Sequence, residues 1–65
     1  MFTKISLKAA RVNANLTQAQ AADKIGVTKD TIGNWESGKS SPSVVQFKVI
    51  EQVYGISYDN IDFSL

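Results

Sequence analysis

Neither cysteine nor histidine occurs anywhere in the 65 residues. Without cysteine the chain has no disulfide to staple a small core and no thiolate metal site. Without histidine it also lacks the usual nitrogen ligand for zinc and the commonest general base. No apolar run approaches the roughly 20 residues that a bilayer span requires. Proline occurs once, at Pro42, and the four glycines are scattered at 26, 33, 38 and 55. That spacing makes no phosphate-cradling loop. These absences argue against an enzyme and lead us to expect no metal, no cofactor and no membrane contact. They suit a reducing, cytoplasmic setting. Met1 to Ser6 are too polar and too short for a signal peptide.

The chain does carry enough apolar residues, 43%, to fold without such aids. Repeats, low-complexity stretches and linkers are missing, so residues 1–65 read as a single domain. The net charge of +1 hides an asymmetry. Residues 1–48 hold all seven basic side chains against Asp23, Asp30 and Glu36, a net +4; residues 49–65 hold Glu51, Asp59 and Asp62 with no base, a net −3. One end is suited to a polyanion and the other is not.

Glycines and a proline divide the chain into short segments, each opened by a hydroxyl residue fit to cap a helix. Thr17 with Gln20 and Ser43 with Gln46 match the capping box; Ser6, Thr28 and Ser57 stand at the corresponding points elsewhere. The pattern predicts five all-α elements at about 7–13, 18–25, 29–36, 44–54 and 58–61. Leu7, Ala10, Arg11 and Ala14 share one face of the first helix, and Ala21, Ala22 and Ile25 one face of the second. Ile32 and Trp35 serve the third, and Phe47, Ile50, Val53 and Tyr54 the fourth. Val45, Phe47 and Val49 also alternate as a strand would, but segment length, the capping box and Gly55 favour helix.

Residues 17–37 have the form of a helix-turn-helix, with Gly26 and Val27 at the turn. At about 100° per residue from Lys29, Gly33 falls near 40°, Ser37 near 80°, Asp30 near 100° and Asn34 near 140°. Trp35 and Ile32 lie on the opposite side. The third helix thus has one polar or small face, and lysine and asparagine on it can pair with base edges.

The run Leu16-Thr17-Gln18-Ala19-Gln20-Ala21-Ala22-Asp23-Lys24-Ile25-Gly26-Val27-Thr28, with Thr31-Ile32-Gly33-Asn34-Trp35-Glu36-Ser37-Gly38-Lys39 and Ser41-Pro42-Ser43, closely resembles the lambda-repressor-like family of phage repressors, Cro proteins and xenobiotic-response-element regulators. The resemblance extends from about Ile5 to Ile61. It implies a five-helix domain that binds double-stranded operator DNA, usually as a homodimer on a two-fold site. Two positions depart from the family pattern: Ala21 stands where leucine is usual, and Gly33 stands where many relatives carry a side chain toward the bases.

On this reading Lys29, Asn34 and Asp30 are candidates to read bases, with Gly33 a blank position on the same face. Asp30 has a competing structural role, since an acid in a first helical turn stabilises the helix by itself. Gln18, Thr28, Ser37, Lys39, Ser40, Ser41 and Asn15 are candidates to hold the DNA backbone. The resemblance further implies that Gln18 contacts the backbone or reaches back to the recognition helix, and that Arg11 and Glu36 form a partly buried ion pair. Val45, Val49, Phe63 and Leu65 are candidates for a dimer surface, the tail 62–65 being exchanged with a partner. The expected function is a sequence-specific transcriptional regulator, a repressor or Cro-type protein. The alternative is a DNA-binding antitoxin or a protein-interaction module.

Overall fold

Four helices begin where a hydroxyl side chain accepts the N–H three residues on. The computed structural model describes residues 4–63. Ser6 Oγ accepts from the Ala9 N–H at 3.0 Å and opens α1, Leu7–Asn13. Thr17 and Gln20 form a reciprocal capping box that opens α2, Gln18–Ile25. Thr28 Oγ1 accepts from the Thr31 N–H and opens α3, Lys29–Ser37. Ser43 and Gln46 form the second capping box, opening α4, Val44–Tyr54. The alternation of Val45, Phe47 and Val49 is therefore overridden by the cap, and the segment is helical.

The fifth helix expected at 58–61 is a single 3₁₀ turn, Tyr58–Asn60, so the described residues hold four α-helices and no strand longer than a bridge. Two distant groups explain the shortening. The Tyr58 N–H donates to Glu51 Oε2 at 2.7 Å, while Ser57 makes no side-chain cap. The Asn60 carbonyl accepts from the Ile5 N–H at 3.0 Å, and the Asp62 N–H donates to the Ile5 carbonyl at 2.9 Å. This parallel bridge between Ile5 and Ile61 draws the chain into extended form before another helical turn can close.

The core gathers Leu7, Ala10, Ala21, Ala22, Ile32, Trp35, Phe47, Ile50, Tyr54 and Ile61. Ala21 and Ala22 are almost completely enclosed, and their small side chains let α3 lie close on α2. Gly26 ends α2 at φ +88°, a left-handed conformation that a Cβ disfavours, and its N–H closes on the Ala22 carbonyl at 2.8 Å. Val27 packs against the core beneath the turn. The angle between α2 and α3 is thus set by one glycine and a short apolar plug.

Candidate nucleic-acid interface

Ile32 and Trp35 anchor α3 in the core and leave its other face to solvent. Lys29, Asp30, Asn34 and Ser37 are all exposed there, with Gly33 half-buried among them. The structure therefore brings the three candidate base readers, Lys29, Asp30 and Asn34, and the blank position at Gly33 onto one face. Asp30 lies in the first turn of α3, as its structural alternative requires.

The loop after α3 is organised by an acceptor that side-chain patterns do not reveal. The Asn34 backbone carbonyl receives the Lys39 N–H at 2.9 Å, the Ser40 N–H at 3.3 Å and the Ser37 hydroxyl at 3.3 Å. With Gly38 at φ +83°, these bonds fold Lys39 and Ser40 back onto the last turn of α3. Thr28 uses its hydroxyl as the α3 cap and also bonds Thr31 Oγ1 at 2.9 Å. Asn15 sits exposed in the turn before α2 at φ +61°, a conformation asparagine tolerates better than most residues.

Arg11 is 7% exposed and locks α3 to the rest of the domain. Its Nε donates to Glu36 Oε2 at 2.6 Å and its Nη2 to Glu36 Oε1 at 3.2 Å. Nη1 donates to the Leu16 carbonyl at 2.7 Å. Glu36 Oε1 also accepts from Gln18 Nε2 at 3.1 Å, so one carboxylate ties α1, α2 and α3 together. Hydrogen bonding to Glu36 holds the guanidinium protonated above its ordinary range, against the opposing effect of burial.

Burial, aided by the Glu36 carboxylate, pushes the Tyr54 phenol up to about 12. An unfolded tyrosine titrates near about 10, so the folded chain holds this proton more tightly. The associated stability is fully present below pH about 10 and is lost as pH rises toward about 12. Tyr54→Phe is expected to shallow this alkaline loss, read as the change in urea midpoint between pH about 9 and about 11. Equal slopes for the two proteins would refute it.

A Cβ added at Gly33 would lie 4.0 Å from Gln18 Nε2, an ordinary contact. Gly33→Ala is therefore expected to stabilise the free protein by about 0.5–1 kcal/mol, because alanine loses less backbone entropy in a helix. A lower melting temperature by circular dichroism would contradict this.

Among the described residues no group of side chains could hold a metal ion, and no helix is long and apolar enough to cross a membrane. Short helices at 18–25 and 29–37, a glycine turn between them and a polar outer face define a helix-turn-helix protein. The helix-turn-helix family model matches residues 7–61, and the chain belongs to that family, of the Cro/C1 type. It is 38% identical over 58 residues to an uncharacterized HTH-type transcriptional regulator of Methanocaldococcus jannaschii, covering 89% of this chain and 88% of that protein. It is 34% identical over 55 residues to the HTH-type transcriptional activator BcrR of Enterococcus faecalis, covering 85% of this chain but 27% of BcrR. It is 37% identical over 49 residues to a type II methyltransferase of Lactococcus lactis subsp. cremoris, covering 71% of this chain and 13% of the enzyme. The chain thus spans about a quarter or less of these last two relatives.

Proposed function

We propose that this domain binds double-stranded DNA sequence-specifically and regulates transcription, with α3 in the major groove. The observation that carries the proposal is the exposed face of α3, where Lys29 and Asn34 offer base-pairing groups while Ile32 and Trp35 fix the helix behind them. Lys39 and Ser40, whose N–H groups bond the Asn34 carbonyl, and Ser41 after them supply backbone contacts along with Gln18, Asn15, Thr28 and Ser37. The M. jannaschii relative, which matches nearly end to end, supports a regulatory role. The methyltransferase match covers too small a share of that enzyme to carry catalysis across. BcrR is an activator by name, while the family resemblance favours a repressor or Cro-type protein; we retain the latter reading. Selection of bound sequences from random duplexes, at stated salt, tests the proposal. A reproducible two-fold motif supports it, and no enrichment overturns it.

The dimer belongs to the same proposal. One recognition helix covers a few base pairs, and two half-sites about one helical turn apart supply the rest. An apolar groove of about 470 Å³ is bounded by Ser41, Pro42, Val44, Phe47, Tyr58 and Phe63. On another face of α4, Val45 is 73% exposed and Val49 is half-buried. Phe63 is 43% exposed, and its ring packs against Phe47 at 5.6 Å and Tyr58 at 5.7 Å within the same chain. Leu65 lies outside the described residues. Because Phe63 and Asp62 hold the chain's own fold, deleting the tail would cost stability as well as pairing. Val45→Lys is the cleaner test. It is expected to leave the melting temperature within a few degrees while removing cooperative binding to a two-half-site duplex. Unchanged cooperativity would refute the role of this face.

A further inference from the structure

The groove beside the loop after α3 has the size and lining of a small-molecule site. Its volume of about 470 Å³ falls within the range of about 300–1,000 Å³ common to such sites. Three rings line it, Phe47 meeting Tyr58 edge-on at 5.0 Å and Phe63 at 5.6 Å. Tyr58 remains 58% exposed, and Val44, also in the lining, 77%. Two charged groups share the lining. Glu51 already accepts the Tyr58 N–H through Oε2 at 2.7 Å. Lys48, one helical turn before it, is exposed and makes no ion pair among the described residues. The Ser41 hydroxyl also lines the groove and has no hydrogen-bond partner among those residues. Both groups can donate to an anion, and the positive end of the α4 dipole at Val44 favours one.

We infer that this groove is an effector site for a small aromatic carboxylate, its ring against Phe47, Tyr58 and Phe63 and its charge on Lys48 and Ser41. Ser41 belongs both to the lining and to the loop assigned to the DNA backbone, directly after Lys39 and Ser40. A carboxylate held there occupies the Ser41 hydroxyl and sets a negative charge beside the segment that meets a phosphate. The effector therefore weakens DNA binding, and by linkage DNA weakens effector binding to the same degree. This coupling rests on the DNA-binding reading, whereas occupation of the groove does not.

The test uses the full chain and probes of graded size: benzoate, 2-naphthoate and biphenyl-4-carboxylate, each with its uncharged primary alcohol as control. In two-dimensional NMR of the free protein, the best carboxylate is expected to give saturable shifts centred on Phe47, Tyr58 and residues 41–44. It is expected to bind about fivefold or more tightly than its alcohol, and Lys48→Met to remove that preference. Val44→Asp places an acid in the first turn of α4, where it suits the helix, and is expected to weaken carboxylate binding with the melting temperature held. At saturation the same carboxylate is expected to weaken the parent's affinity for its selected duplex by about fivefold or more, read by fluorescence anisotropy. No saturable shift with any of the probes, or equal affinity for carboxylate and alcohol, overturns the inference. So do groove resonances that move on dilution of the protein alone, which mark a second copy as the occupant. Binding that leaves DNA affinity unchanged overturns the effector role. A parent that selects no sequence removes the DNA-binding reading instead, and the NMR titration still reads the groove.

Discussion

Arg11→Met is expected to lower the melting temperature by about 15 °C or more, from a loss of about 3–5 kcal/mol. The reason is what the substitution strands. Glu36, whose side chain is 7% exposed, keeps its charge without a partner, and the Leu16 carbonyl loses the Nη1 donor that closes the turn between α1 and α2. A domain of this size has total stability of only about 3–10 kcal/mol, so the variant is largely unfolded at physiological temperature. Arg11→Lys keeps the charge but not the fork, and is expected to fall between the two. Removing both charges, as Arg11→Met with Glu36→Leu, relieves the buried carboxylate but leaves the Leu16 carbonyl and Gln18 amide unpaired. It is therefore expected to recover part of the loss. Exposed pairs contribute less than about 1 kcal/mol. A single variant melting within about 3 °C of the parent would show that the Arg11–Glu36 pair behaves as one of these.

The second large effect separates reading from holding. Asn34 is exposed on α3 and its backbone carbonyl is already occupied by the following loop, so Asn34→Ala removes only the outward carboxamide. It is expected to cost about 1–3 kcal/mol on the selected duplex, and little on random DNA, with preference relaxed at one base pair. Lys39→Ala is expected to weaken selected and random duplexes alike and to reduce the salt slope by about one unit. Matched titrations at several salt concentrations distinguish the two patterns. Equal losses for Asn34→Ala on both duplexes would return it to a backbone role.

Which features were legible in the sequence follows from how local they are. The four caps at Ser6, Thr17, Thr28 and Ser43 each join residues three apart, so both partners lie in one short window. The helix starts followed from them, and α3 runs only one residue beyond its expected end. The apolar faces followed from spacing, including the unusual placement of Arg11 on one. Its partner, 25 residues away, was suggested by family resemblance and not by periodicity. Ser57 shows where local reading fails: it looks like a fifth cap, but Glu51 and Ile5 take the neighbouring backbone groups first. The packing of the Phe63 ring on Phe47 joins residues too far apart in the chain for helical or strand spacing to reveal. The shared hydrogen bond of Gln18 and Glu36 depends on the angle between α2 and α3, which no window of sequence contains.

The central claim is that the exposed face of α3 reads sequence. It is tested most directly by comparing the affinity of the parent protein for its selected two-half-site duplex with that for a scrambled duplex of equal length, at about 150 mM salt. The account predicts that the selected duplex binds about a thousandfold or more tightly. Affinities within about threefold of each other, with the same salt slope, would mean phosphate attraction alone and would contradict it.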